Sequence, residues 1–340
     1  MKTLSTEGRL VVVAALVTAG VWLSSPGHLA AADAVGTFPA WAYAWDPAYH
    51  APPADNTPVR LSGSSASYSV ADARNLFRAP DWHPRDHPPM PPVVASGRRP
   101  AVRACGVCHR AEGTGGPENA SLAGLPAAYI SAQMADFKSG ARRFSGPRRA
   151  PVLLMIEAAR AATPGEVAEA AAYFSSLRPK RLIDVVESAM VPRTYIAGSF
   201  HVELANAGGA SAQAAAAREP IGQRIVEVPQ DVRRFELRDT QSRFRAHVPP
   251  GSQALGRQLV ETPRADTQVA CRYCHGAGLR GTGRVPGIAG RSPSYVMRQL
   301  YDFRSGTRRG EGRAQMAAVV APFSTDDMLA IAAYLATLTP

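Results

Sequence analysis

Two short stretches decide the fold: "ACGVCHR", residues 104–110, and "VACRYCHGAG", residues 269–278. They hold all four cysteines of the 340-residue chain, each time as Cys-x-x-Cys followed at once by histidine. Such a pair could be a thioredoxin-like dithiol, half of a zinc site, or a site of covalent haem attachment.

The surrounding sequence favours haem attachment. A redox dithiol is expected at a strand-to-helix turn, and no βαβ pattern surrounds either motif. A four-cysteine zinc site requires the two pairs to converge from 166 residues apart, and it leaves both histidines without a role. Haem attachment uses every residue, because the two thiols form thioethers with the vinyl groups and the adjacent histidine reaches the iron.

An internal repeat supports the same interpretation. "LAGLPAAYISAQMADFKSGARR", residues 122–143, aligns without a gap with "IAGRSPSYVMRQLYDFRSGTRR", residues 288–309, and each begins 13 residues after its motif histidine. "ATPGEVAEAAAYFSSL" likewise aligns with "FSTDDMLAIAAYLATL" near the end of each half. The sequence therefore indicates a duplicated domain.

These motifs and their duplication resemble the exported class I c-type cytochromes, specifically the two-haem members made of two tandem domains. The resemblance covers about residues 90–180 and 250–340. It implies two covalently bound haem c groups, each with two thioether sites and a proximal iron ligand: Cys105, Cys108 and His109 for the first, and Cys271, Cys274 and His275 for the second.

The sixth iron ligand in such proteins is usually Met, His or nothing. Of eight methionines, only Met155 and Met316 occupy matching positions, each eight residues before the residue that opens the final helix. The resemblance places the distal methionine there, in a loop after the third helix. Three others, Met134, Met297 and Met328, align with different residue types and are interpreted as helix core.

The two halves differ near these ligands. Met155 lies 50 residues after Cys105, whereas Met316 lies 45 after Cys271. The family tends to have a proline whose carbonyl orients the proximal histidine, and Pro286 fits that place. The aligned residue in the first half is Ala120, so we expect a different carbonyl there and two haems that differ in potential.

The expected fold is mainly α, with two tandem class I cytochrome c domains, an irregular N-terminal extension and a β-leaning inter-domain insert. Proline starts and glycine stops predict helices at about 126–140 and 293–306, and a further helix is predicted at about 252–261. Capping boxes of Thr163 with Glu166 and of Ser324 with Asp327 predict the final helix of each repeat. The expected parts are a signal peptide at 1–32, a Pro- and aromatic-rich extension at 33–89, cytochrome c domains at 90–180 and 250–340, and the insert at 181–249. Two Pro- and aromatic-rich stretches, 39–55 and 79–92, are expected to be extended.

The N-terminus has the features of an export signal. Two basic residues, Lys2 and Arg9, precede an uncharged stretch of 14, Leu10–Leu23, and small residues allow cleavage after about Ala32. The stretch is shorter than the roughly 20 residues of a bilayer span. We therefore expect a periplasmic protein, with an uncleaved membrane anchor as the alternative.

The composition favours acidic partners. Lys plus Arg number 38 against 27 Asp plus Glu, and the formal net charge is +11. Four arginines, Arg142, Arg143, Arg308 and Arg309, recur after the third helix; we expect solvated helix-end charges, with contact to a haem propionate as the alternative. Five histidines outside the motifs are expected on the surface or in turns: His50, His83, His87, His201 and His247.

The expected function is single-electron transfer between a dehydrogenase or quinol-linked donor and an oxidase or another cytochrome. Expected partners are redox proteins with acidic docking surfaces, including a membrane-bound oxidase or dehydrogenase complex, and not nucleic acid. The alternative is a dihaem enzyme, peroxidase-like or thiosulfate-oxidising, with a reactive first haem. Cysteine ligation of a catalytic iron is excluded, because all four cysteines are used.

Overall fold

The computed structural model describes residues 38–207, 211, 213, 216–262 and 269–340. The predicted signal peptide, residues 1–32, lies outside them. The described residues fall in one compact unit. Helices predominate, and small sheets occur in the insert and in short hairpins.

The described residues of the second repeat, 250–262 and 269–340, contain five α-helices. They are α8 (Ser252–Glu261), α9 (Arg272–His275), α10 (Pro293–Arg304), α11 (Arg313–Val320) and α12 (Thr325–Thr337). A short hairpin, β10 (Gly281–Thr282) and β11 (Val285–Pro286), follows the motif helix.

Helices α8 and α12 cross at very close range. A Cβ at Gly256 would overlap the carbonyl oxygen of Ala330, so only glycine permits this approach. The Ser324 hydroxyl and the Asp327 carboxylate form a capping box at the start of α12, as predicted. The buried face of α12 then packs into the main hydrophobic core with Met297 and Met328, both fully buried. The interpretation of these two methionines as helix core is confirmed.

The first repeat has the corresponding helices. They are α2 (Pro92–Ala95), α3 (Cys105–His109), α4 (Ala127–Ser139), α5 (Ala150–Ala161) and α6 (Pro164–Ser176). Here α2 is only four residues long, where α8 has ten. The predicted capping box of Thr163 and Glu166 is present at the start of α6.

The insert forms small sheets, as its β-leaning sequence predicts. Its elements are β3 (Ile183–Glu187), β4 (Met190–Pro192), β5 (Thr194–Ala197), β6 (Phe200–Glu203), β7 (Arg218–Pro220), β8 (Val226–Pro229), α7 (Val232–Glu236) and β9 (Phe244–Val248). Strand β9 is central to a three-stranded sheet: it pairs in parallel with β3 and antiparallel with β8. The pairs β4–β7 and β5–β6 are antiparallel.

The described part of the N-terminal extension is irregular, as predicted, with a few short elements. It contains a 3-10 turn (Ala40–Tyr43), the hairpin β1 (Val59–Arg60) and β2 (Ser67–Tyr68), and α1 (Val70–Arg74). Its Trp82 is 1% exposed, and the indole Nε1 donates to the Leu237 carbonyl of the insert at 2.7 Å. Of the two stretches expected to be extended, 39–55 contains the 3-10 turn, and 79–92 has no helix or strand before Pro92.

No single helix in the described residues is long and apolar enough to cross a bilayer. Taken together, helices α11 and α12 are long and apolar enough, but the chain bends by 112° between them.

Candidate functional site

The first Cys-x-x-Cys-His motif forms the short helix α3, and its histidine is held by one backbone carbonyl. The Nδ1 atom of His109 lies 2.9 Å from the Ala120 carbonyl oxygen, which can only accept, so Nδ1 carries the proton. Burial lowers the pKa of His109 and is opposed by this hydrogen bond. The imidazole is therefore neutral, and its Nε2 lone pair is free to coordinate a metal.

The second motif has the same arrangement. His275 donates from Nδ1 to the Pro286 carbonyl at 2.8 Å, as the sequence predicts. The expectation that a different carbonyl orients His109 was wrong, because Ala120 is the residue aligned with Pro286. A carbonyl at this position suffices, and proline is not needed to present it.

A cavity of about 190 Å³ lies beside the first motif. Cys105, Cys108 and His109 line it, and so do Met155 and Met134. Much of the rest of the lining is apolar: Val93, Val102, Leu122, Leu125, Ile130, Phe137, Leu154, Val167 and Phe174. An apolar cavity with two thiols and a neutral imidazole fits a covalently attached haem.

The two candidate distal methionines lie on helices, not in the expected loops. Met155 is in α5, which begins with Pro151 in its first turn and continues through an apolar run. Met316 is in α11, partly buried against the core that also contacts Cys271. The structure thus brings Met155 to the same cavity as His109, and coordination by either methionine stays a prediction.

Burial keeps the first thiol of each motif in its protonated form by raising its pKa. It raises the pKa of Cys105 to about 12 and that of Cys271 to about 11. A thiolate is therefore disfavoured at both positions, which argues against a reactive redox dithiol. A thioether carries neither proton nor charge and is compatible with burial.

Zinc binding was the other alternative. Searched over the described residues, the structure has no group of three or more His, Cys, Asp or Glu side chains that could hold a metal ion. The two cysteine pairs therefore do not form a four-cysteine site.

Two arginines after the third helices are buried, which corrects the expectation of solvated charges. Arg142 is 9% exposed and Arg308 is 6% exposed. Each reaches across to the other repeat, where its guanidinium meets a tyrosine hydroxyl and a glutamine side chain. Arg143 and Arg309 are exposed, as expected.

The first cavity extends to this contact between the repeats. Tyr295, Arg298, Gln299 and Asp302 of α10 line it together with Arg142 of the first repeat. Sequence reasoning missed these α10 residues. A signal was present for three of them, because Tyr295, Gln299 and Asp302 align with the same residue types in the first repeat, and the tyrosine and glutamine are four residues apart on one helix face.

Two of the five other histidines are buried, contrary to expectation. His83 is 8% exposed and its Nε2 lies 2.9 Å from Asp239 Oδ1. His247 is 7% exposed in the central strand β9. His83 lies at a contact between the extension and the insert, and His247 lies in a strand paired on both sides within the insert. Both contacts join segments that are distant in sequence, so local sequence patterns do not predict them. His50 is exposed, and His87 and His201 are half-buried.

The chain was compared with known proteins. No family model matches it. Over 96 residues it is 33% identical to cytochrome c-554(547) from Halothiobacillus neapolitanus, covering 26% of this chain and 98% of that protein. The chain belongs to the c-type cytochromes. Its cofactor is haem c, covalently bound, with two haems per chain, and its fold is the predicted mainly α pair of tandem cytochrome c domains.

Two further relatives are similar to this cytochrome over stretches of different length. A cytochrome c4 from Pseudomonas aeruginosa is 35% identical over 91 residues, which are 25% of this chain and 45% of that protein. A thiosulfate dehydrogenase electron acceptor from Stutzerimonas stutzeri is 26% identical over 245 residues, which are 71% of this chain and 82% of that protein. The match to cytochrome c4 thus spans less than half of that relative.

Proposed function

We propose that this cytochrome is a two-haem electron carrier. Cys105 and Cys108 attach the first haem with His109 as proximal ligand, and Met155 fills the sixth position. In the second repeat Cys271, Cys274, His275 and Met316 have the same roles. The observation that carries the proposal is the single cavity shared by Cys105, Cys108, His109 and Met155.

The haem iron supplies the chemistry, a one-electron change between ferric and ferrous states. Burial keeps each proximal imidazole neutral, and its Nδ1 hydrogen bond orients the ring. A methionine in the sixth position occupies the place that a substrate would need and raises the reduction potential. These features favour electron transfer over catalysis at the iron.

Contact between the repeats supports passage of electrons from one to the other. The first cavity is lined by α10 of the second repeat, including Tyr295 and Gln299. The buried guanidiniums of Arg142 and Arg298 also line it and are suited to neutralise the carboxylates of a haem.

The relatives suggest a donor. One of them is named as the electron acceptor of a thiosulfate dehydrogenase, so we propose that a dehydrogenase of this kind reduces the present protein. An oxidase or another cytochrome would then accept the electrons. The net charge of +11 suits partners with acidic docking surfaces, and the N-terminal export features suit the periplasm.

The proposal is tested on the purified holoprotein. Mass and haem staining should show two covalent haems, and a potentiometric titration should show two one-electron steps. Thiosulfate alone should not reduce the haems, whereas thiosulfate with a thiosulfate dehydrogenase should reduce both. Rapid reaction of the reduced protein with carbon monoxide or peroxide would contradict the carrier and favour the dihaem enzyme.

A further inference from the structure

The two Cys-x-x-Cys-His helices differ sharply in exposure. Val107 in the first motif is 0% exposed, whereas the aligned Tyr273 is 67% exposed. At the next position Cys108 is partly buried and Cys274 is exposed. The two cysteines of each motif would hold a haem against the motif helix, so what covers the helix would also shield the haem there.

The N-terminal extension covers the first motif. A Cβ added at Gly106 would lie 2.9 Å from the Cβ of Ala79, so the extension packs directly on the helix there. Val107 forms a buried cluster with Ala79 and Ala104, and Leu76 packs against it. The residue aligned with Gly106 is Arg272, which is exposed.

The insert covers the first motif from a second side. Arg238 donates from Nη1 to the Val107 carbonyl at 2.9 Å and from Nε to the Ala73 carbonyl of the extension at 2.7 Å. Arg110, directly after the motif, is 2% exposed and donates to the Phe235 carbonyl of the insert at 3.3 Å. One insert residue, Arg238, thus joins the extension to the motif helix.

The second motif presents an exposed surface of a different composition. Tyr273 lies beside Val269, which is 47% exposed, and the Arg272 guanidinium carbon is 5.5 Å from the centre of the Tyr273 ring. Arg280 is exposed a few residues further on. Aromatic and arginine side chains are enriched at protein interfaces, and exposed arginines attract an acidic partner.

We propose that the second haem is the only port through which this protein exchanges electrons with its partners, and that the surface around Tyr273 docks a small acidic redox protein. The inference rests on the proposed carrier function. One electron passes between the iron of the second haem and the partner's metal, so one is oxidised as the other is reduced, and no bond forms or breaks. The first haem exchanges electrons only through the second, because the extension and the insert cover the first motif helix.

The test uses reduced holoprotein and oxidised plastocyanin, a small acidic copper protein, at low ionic strength. Tyr273→Glu and Arg280→Glu place negative charge on the proposed surface. Arg78→Glu makes the same charge change as Arg280→Glu, but on the extension next to Ala79, which covers the first motif. Stopped-flow absorbance gives the transfer rate, and calorimetry gives the affinity.

We expect the two surface variants to lower the second-order rate roughly tenfold or more and to weaken binding in parallel. Arg78→Glu should stay within about twofold of the wild-type rate. Tyr273 lies within the Cys-x-x-Cys-His motif, so Tyr273→Glu can hinder haem attachment. Arg280 lies outside the motif, and Arg280→Glu therefore tests the docking surface in a protein with both haems attached.

The proposal would be wrong if Arg78→Glu and Arg280→Glu lowered the transfer rate equally. It would also be wrong if neither Tyr273→Glu nor Arg280→Glu changed the rate. A wild-type protein that releases two electrons to ferricyanide yet does not bind plastocyanin would contradict it as well. A holoprotein that takes up no electrons from ascorbate would overturn the carrier function itself, and the port with it.

Discussion

Arg142 and Arg308 lie at equivalent positions in the two repeats and bind each other's helices reciprocally. Nη2 of Arg142 donates to the Tyr295 hydroxyl at 3.0 Å and to Gln299 Oε1 at 2.9 Å. Nη2 of Arg308 donates to the Tyr129 hydroxyl at 2.9 Å and to the equivalent glutamine of the first repeat at 2.9 Å.

The backbones repeat this symmetry. Arg142 and Arg308 form an antiparallel bridge, the Arg143 amide donates to the Thr307 carbonyl at 3.1 Å, and the Arg309 amide donates to the Ala141 carbonyl at 2.8 Å. The contact is therefore isologous in form, as between identical subunits, although both halves belong to one chain. A single polar network joins the repeats.

Arg142→Ala should destabilise the protein by about 1–3 kcal/mol, because the half-buried Tyr295 hydroxyl and Gln299 Oε1 each lose a charged donor, although Gln299 keeps Arg308 Nη1 at 2.9 Å. Combining it with Arg308→Ala should cost less than the sum of the two single changes, since both belong to one network. Urea unfolding of the holoproteins measures both effects. Arg143→Ala and Arg309→Ala, at exposed positions, are the matched controls and should change the unfolding free energy by less than about 0.5 kcal/mol.

Met155→Ala should remove about half of the far-red ferric methionine–iron band and lower the potential of one haem, because methionine ligation raises the potential. Met316→Ala should remove the other half. Met134→Leu is the control, since Met134 lines the same cavity as Met155 but aligns with leucine in the second repeat. An unchanged band and unchanged potentials in Met155→Ala would exclude this residue as the ligand.

Local signals in the sequence predicted several helices of both repeats, but α5 and α11, which hold Met155 and Met316, were expected to be loops. Pro126 and Gly140 bracket α4, and α8 has the predicted bounds, Ser252–Glu261. Proline, glycine and capping residues act within a few positions of themselves, so their effect can be deduced from the sequence. The motif likewise identifies its own cysteines and histidines.

The contacts between distant segments were not predictable in the same way. Arg142 was interpreted from its own helix end, whereas its partners are 153 and 157 residues away. Likewise His83 pairs with Asp239 of the insert. No residue next to Arg142 or His83 in the sequence indicates its distant partner. For Arg142, the same polar residue types at matching positions of both repeats were the available signal.

Arg149 ties the segment before Met155 to both added regions. Its side chain is almost fully buried, Nε donates to the Ala44 carbonyl of the extension at 2.9 Å, and Nη2 donates to the Ser199 carbonyl of the insert at 3.0 Å. Arg149→Ala should cost about 2–3 kcal/mol in the unfolding free energy, because two buried carbonyls lose a charged donor.

The same change should also shift the potential of the first haem while leaving the second unchanged, because Arg149 lines only the cavity described beside the first motif. Arg148→Ala, at the neighbouring exposed position, is the control for both measurements. Equal shifts at both haems would mean that Arg149 acts on the whole fold and not on the first site.

Glu166 gives the protein an acid-sensitive contact at the start of α6. Its carboxylate accepts from Arg98 Nε at 2.8 Å and from the Thr163 amide at 2.8 Å, and the Arg98 hydrogen bond with the capping bonds lowers its pKa to about 2. The stabilisation is therefore fully present above the ordinary glutamate pKa of about 4.5 and is lost as the pH falls towards 2.

Arg98 is half exposed, so solvent screens the pair, and we expect Glu166→Gln to cost only about 1 kcal/mol at pH 7. The difference between wild type and variant should shrink between pH 4.5 and pH 2 and vanish below it. Thermal unfolding followed by circular dichroism across this range measures it, with Glu169→Gln, elsewhere on α6, as the control. A difference that stays constant with pH would show that the charge of Glu166 contributes nothing to stability.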